Sequence, residues 1–127
     1  MASVTTLKSI VNSTQSSISV RNGENSSQAF TISANRTWEG KMDVPWIGKE
    51  SEDYKAIRFL MGPASDVTIW LFQDYWNPPH QDAVKYLAAP AMSYNAETIE
   101  VSGRNRGGGS KVLTISLKDG RYVLDMT

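Results

Sequence analysis

Short segments of alternating apolar and polar residues, many of them β-branched, recur along the chain, and apolar residues almost nowhere return at helical spacing. Period-two alternation bounded by Gly, Asn, Asp and Ser marks strands whose side chains point by turns to two faces. Strands are predicted at 7–11 and 17–20 around the polar turn Asn12-Ser13-Thr14-Gln15, with a tight turn at Asn22-Gly23, where both residues tolerate positive φ. Further strands are predicted at 29–32 and 41–46, with Pro45 at a strand edge. The most hydrophobic pair, 54–61 and 67–72, flanks the turn Gly62-Pro63-Ala64-Ser65. A short strand at 84–87 follows, with room for a single helical turn over 81–87. Strands at 98–101 and 111–117 flank a glycine-rich connection, and Asp119-Gly120 reverses the chain into 121–126. Within 67–72, alternation puts Ile69 and Leu71 on one face and Trp70 and Phe72 on the other. Both faces are apolar, which predicts a strand covered on both sides, with Trp70 in the core.

The strands group into three arcs, opening at 7–11, 56–60 and 98–102, each with a polar turn, a second strand and a shorter third. Three hairpin-rich arcs predict an all-β fold of β-trefoil type. A two-sheet β-sandwich of similar strands is the alternative, which periodicity does not separate from it. A chain of 127 residues fits one domain, 1–127, and not two.

Charge and composition narrow the function. Thirteen basic residues balance thirteen acidic ones, so the basic excess that displaces phosphate counterions in nucleic-acid binders is missing, as is a charge-driven attraction to membranes. Without cysteine there is no disulfide, no thiolate metal site and no cysteine nucleophile. No apolar run reaches the length of a membrane span. The start, Met1-Ala2-Ser3-Val4-Thr5-Thr6, has neither a basic nor an apolar leader segment, so a cytoplasmic location is expected, with unconventional secretion as the route out. Sequons at Asn12, Asn25 and Asn35 then read as chance products of a Ser/Thr/Asn-rich surface.

Candidate chemistry concentrates in Trp70-Leu71-Phe72-Gln73-Asp74-Tyr75-Trp76-Asn77-Pro78-Pro79-His80-Gln81-Asp82, which holds two of the four tryptophans and the only histidine. An apolar strand passes there into an aromatic, polar loop stiffened by Pro78-Pro79. A saccharide suits such a surface: a ring covers the C–H face of a pyranose while Asp, Asn and Gln satisfy its hydroxyls. Asp74, Tyr75, Trp76, Asn77, His80 and Asp82 are the candidate ligand-binding residues, with Tyr75 or Trp76 stacking and the others on the rim. Trp76 folded back as a plug over a barrel mouth is the alternative for that ring. Trp46, beside the acidic stretch 49–53, is read as a core layer, or if exposed as a second sugar platform.

The segments Leu7-Lys8-Ser9-Ile10-Val11-Asn12, Arg36-Thr37-Trp38-Glu39-Gly40 running into Val44-Pro45-Trp46-Ile47, and Asp74-Tyr75-Trp76-Asn77-Pro78-Pro79 resemble lectin-like β-trefoil proteins of gilled mushrooms. That group includes the mannose-binding protein and the light subunit associated with mushroom tyrosinase. The resemblance spans most of the chain and implies a cytosolic, fungal, non-enzymatic β-trefoil that binds mannose. It transfers no binding residue position by position. Gln73-Asp74-Tyr75 has tyrosine where the ricin-type Gln-x-Trp triplet has tryptophan, which counts against the common galactose-binding mode.

Other constellations are weaker. His80 with Asp74 and Asp82 lacks the spacing of a known metal site or catalytic set. The run 103–111 places its glycines, Ser110 and Lys111 unlike a phosphate-binding loop, and Arg104 and Arg106 read as solvated. No catalytic residue, metal or cofactor is expected. The expected partner is a carbohydrate or glycoprotein. A larger protein that the domain rides on and a membrane surface attacked by a fungal defence protein are the alternatives.

Overall fold

The computed structural model describes residues 4–64, 66–75, 83–106 and 108–127. The architecture is all-β with two sheets. Along the chain run β1 (Thr5–Ser13), β2 (Ile18–Asn22), β3 (Ala29–Ile32), β4 (Thr37–Asp43), β5 (Trp46–Ile47), a 3₁₀ turn (Glu50–Lys55), β6 (Ile57–Met61), β7 (Val67–Asp74), β8 (Val84–Ala88), β9 (Ile99–Glu100), β10 (Ser102–Gly103), β11 (Gly109–Lys118) and β12 (Arg121–Met126). The smaller sheet has the order β10-β12-β11-β1-β4, with β1 parallel to β11. The larger has the order β3-β2-β6-β7-β8-β9, and β5 adds to β7 in parallel.

This arrangement is consistent with the sandwich alternative, and a trefoil is not confirmed. The three arcs do not pair equivalently: β1 lies between β11 and β4, whereas β6 lies between β2 and β7. Leu7, Ile10, Met42, Leu113, Ile115 and Leu124 from one sheet meet Ile18, Val20, Ile57, Phe59, Ile69 and Leu71 from the other in one closed core. Alternation along each strand brings these side chains to the inner face. Each buried aliphatic or aromatic side chain there contributes about 1.5–3 kcal/mol by leaving water.

Strand β7 is covered on both sides, as its apolar alternation predicts. Ile69 and Leu71 enter the main core, while Phe72 joins Ile47, Ala56 and Tyr94 in a second cluster, with Trp70 packed half-buried against it. The indole of Trp70 donates to the carbonyl of Ala89 at 2.9 Å.

Local departures have local causes. The strand expected at 41–46 is divided, because Pro45 has no N–H to continue a ladder. Its carbonyl instead accepts from the N–H of Gln73 at 2.7 Å. The strand expected at 54–61 begins only at Ile57; Tyr54 and Lys55 belong to the 3₁₀ turn. Residues 84–88 are strand, not a helical turn, and 81–82 lie outside the described residues. Asp119 and Gly120 both adopt positive φ, as the hairpin requires.

Asn22-Gly23 is not the expected tight turn. Gly23 sits under the 3₁₀ turn, where a Cβ would lie 1.8 Å from the carbonyl oxygen of Tyr54, and the Asn22 amide organises the loop to Gln28. The glycine-rich connection does not join neighbouring strands, because β12 separates β10 from β11. Arg104 and Arg106 in it are exposed. The Asn12 sequon is closed to modification: its amide is fully buried and donates to the carbonyls of Ser16, Ile32 and Ser33.

Candidate functional site

The end of β7 is held by backbone from both sides. β5 runs parallel to it, pairing Trp46 with Gln73 and Ile47 with Asp74, and the N–H of Tyr75 donates to the carbonyl of Ile47 at 3.0 Å. That register brings the Trp46 and Tyr75 rings together edge to face, with centroids 5.5 Å apart and planes at 77°. Tyr75 is 42% exposed. Together they form one wall of an open cleft of about 380 Å³, near the small end of ligand-sized pockets. The opposite wall is Gly48, Lys49, Glu52 and Lys55 from the 3₁₀ turn and its approach, with Glu24 at the rim.

The polar wall is preorganised. Glu52 accepts from the Gly48 N–H at 2.9 Å and from Lys55 Nζ at 3.0 Å, and Lys55 also lies 3.9 Å from Glu24. The Gly48 N–H, then Lys55, hold the Glu52 carboxyl below the ordinary range, and the Glu52 hydrogen bond raises Lys55. Both are therefore charged at neutral pH. The 3₁₀ turn is tied from its other side: Asp53 accepts from the N–H of Tyr94 at 2.9 Å, and Glu50 accepts from Ser93 and Asn95. Desolvation nevertheless raises the Asp53 carboxyl. One donor in the cleft wall is unspent. The Nε1 of Trp46 is out of water and has no hydrogen-bond partner.

Comparison with protein-family models, curated proteins and solved structures finds no match. The cleft has to be read from its own chemistry.

Of the six candidate ligand-binding residues, Tyr75 is the one described at the cleft. Asp74 adjoins it but cannot form a rim contact, because its side chain is fully buried. It accepts from Lys85 Nζ at 2.9 Å and from the Tyr94 hydroxyl at 2.7 Å. A buried carboxylate with such partners positions the strand end and does not meet ligand. Trp76, Asn77, His80 and Asp82 lie outside the described residues, as does the choice between platform and plug for Trp76. Trp46 is half-buried beside Tyr75 and lines the cleft, neither a buried core layer nor an exposed platform. Glu24, Lys49, Glu52 and Lys55 carried no separate signal, since charged residues near a loop ordinarily signify only a solvated surface. Among the described residues no group of three or more acidic or histidine side chains could hold a metal ion. No helix among them is long and apolar enough to cross a membrane.

Proposed function

We propose that this chain is a lectin-like, non-enzymatic carbohydrate-binding protein whose saccharide lies in the Trp46–Tyr75 cleft. The observation that carries the proposal is the exposed Tyr75 ring, locked edge-on by Trp46 and faced by a fixed Glu52–Lys55 pair. A pyranose presents an apolar C–H face and a rim of hydroxyls. Tyr75 suits the first; Glu52, Glu24 and the two lysines offer acceptors and donors for the second. Rings and charges already held in place spare a ligand part of the ordering cost of binding. Trp76, Asn77, His80 and Asp82 follow Tyr75 in sequence and remain candidate ligands, whereas Asp74 becomes a buttress.

Mannose-type glycans, a cytoplasmic setting and kinship with the mushroom lectin-like proteins belong to the same proposal and rest on the resemblance of the sequence segments. Kinship of that kind would carry the β-trefoil expectation with it; saccharide binding in the cleft does not depend on it.

Glycan arrays followed by calorimetry on the wild type, Tyr75→Ala, Trp46→Phe and Trp76→Ala test the proposal. Saturable binding that Tyr75→Ala weakens supports it. No saccharide binding, or binding indifferent to all three changes, rejects it. Flotation on liposomes would point instead to a membrane-active protein, and stable complex formation with a larger enzyme to a scaffold role.

A further inference from the structure

The outer face of the larger sheet carries a second cleft. Directly opposed residues of an antiparallel pair share a face, with Cβ atoms about 4.5–5.5 Å apart. Arg21 on β2 faces Arg58 on β6, and Arg58 faces Trp70 on β7, so two guanidinium groups and an indole stand in one row across three strands. The row lines a cleft of about 350 Å³, completed by Gly23, Ala56 and the 69% exposed Tyr54.

Three observations show that this row lacks a partner. Like charges directly opposed on a sheet repel and destabilise it. Among the described residues neither arginine makes a side-chain hydrogen bond or ion pair, and no carboxylate lines the cleft. The nearest acid in sequence, Glu24, is turned to Lys55. Finally, Nε of Arg58 is withdrawn from water with no acceptor, the costly state for a donor on a cation.

We infer that Arg21 and Arg58 form an oxyanion site. It takes the carboxylate, sulfate or phosphate of a small organic ligand whose body lies against Trp70 and Tyr54. Guanidinium groups match such oxyanions with paired N–H donors, and an aromatic wall gives the rest of the ligand an apolar surface. An oxyanion between the two arginines also removes their mutual repulsion. The site has its own residues and does not depend on saccharide binding in the Trp46–Tyr75 cleft.

Calorimetric titration with sodium sulfate and sodium phosphate, at ionic strength matched with chloride, tests the inference on the full chain. Saturable binding is expected at or below the order of tens of millimolar. Arg58→Gln and Arg21→Gln should each weaken it about tenfold or more, the loss of one charge-assisted contact. Arg21 is exposed, so its variant keeps the test valid if Arg58→Gln fails to fold. Titration with glucuronate and glucose 6-phosphate, against neutral glucose, separates the sources. Tighter binding of the organic anions places a ring on Trp70, and equal binding identifies the free ion as ligand. Absence of saturable sulfate and phosphate binding, or binding unchanged in Arg21→Gln, overturns the site.

Discussion

The two faces of β7 meet unlike surroundings. Inward, Ile69 and Leu71 disappear into a core built from both sheets, and Gln73 is buried while accepting from the N–H of Thr5. Outward, Trp70 and Phe72 meet a small cluster supplied by β5 and loops, and Asp74 ends the row in a buried contact with Lys85 and Tyr94. The inner face is closed to ligands. The outer face is only partly covered and carries the Arg21–Arg58–Trp70 cleft, while the Trp46–Tyr75 cleft lies just beyond the end of the strand. Close packing makes one side stable, and incomplete packing leaves the other side available.

The largest expected effect breaks the outer row at its buried charge. Asp74→Ala should cost about 3–5 kcal/mol in denaturant unfolding, because Lys85 loses the carboxylate it contacts at 2.9 Å. Replacing both with apolar residues should cost much less than the sum of the single changes. A loss in the double variant equal to the sum of the single losses would show that Asp74 acts through something other than this pair.

Next comes the inner face. Leu71→Ala should cost about 2–5 kcal/mol and leave saccharide affinity, measured below the melting transition, unchanged. Tyr75→Ala should show the reverse: about 1 kcal/mol or less in stability, given its exposed ring, and about tenfold weaker saccharide binding. If both variants lose stability and binding together, the division between the core of β7 and the cleft at its end does not exist.

The smallest effects are electrostatic. Glu52 is lowered from 4.5 in the folded chain, so it contributes stability above that value that is lost as pH falls through its folded pKa. Glu52→Gln should therefore narrow its stability gap to the wild type as pH drops below about 4.5, by about 1 kcal/mol or less for this half-buried pair. Asp53 is raised from 3.8, so its contribution is present at acid pH and lost as pH rises through the folded value. Asp53→Asn keeps an oxygen for the Tyr94 N–H and should match or slightly exceed wild-type stability at neutral pH, read by thermal melting.

Much of the strand inventory was legible because alternation reports local geometry. Strands at 29–32 and 121–126 fall where predicted, and the double burial of β7 follows from its two apolar stripes. Sheet topology was not, because the same strands serve a barrel or a sandwich and only long-range pairing decides. The site was half legible. Aromatic and polar residues at 74–75 marked the place, but whether Asp74 faces solvent depends on Lys85 and Tyr94, and the second ring of the cleft comes from Trp46. The arginine row was illegible for the same reason: Arg21 and Arg58 become neighbours only through the β2–β6 register.

The parallel pairing of β1 with β11 has a kinetic consequence. Thr5 aligns with Gly109 and Ser13 with Ser116, so an inner strand of the smaller sheet awaits a partner roughly a hundred residues away. The larger sheet uses nearer neighbours, above all β6-β7-β8. Closing the longer loop costs entropy before any contact repays it, so the smaller sheet should assemble late and limit the folding rate. Until then β1 has only β4 beside it and one open edge, with Leu7 and Ile10 incompletely covered, the state in which this chain is most vulnerable to aggregation.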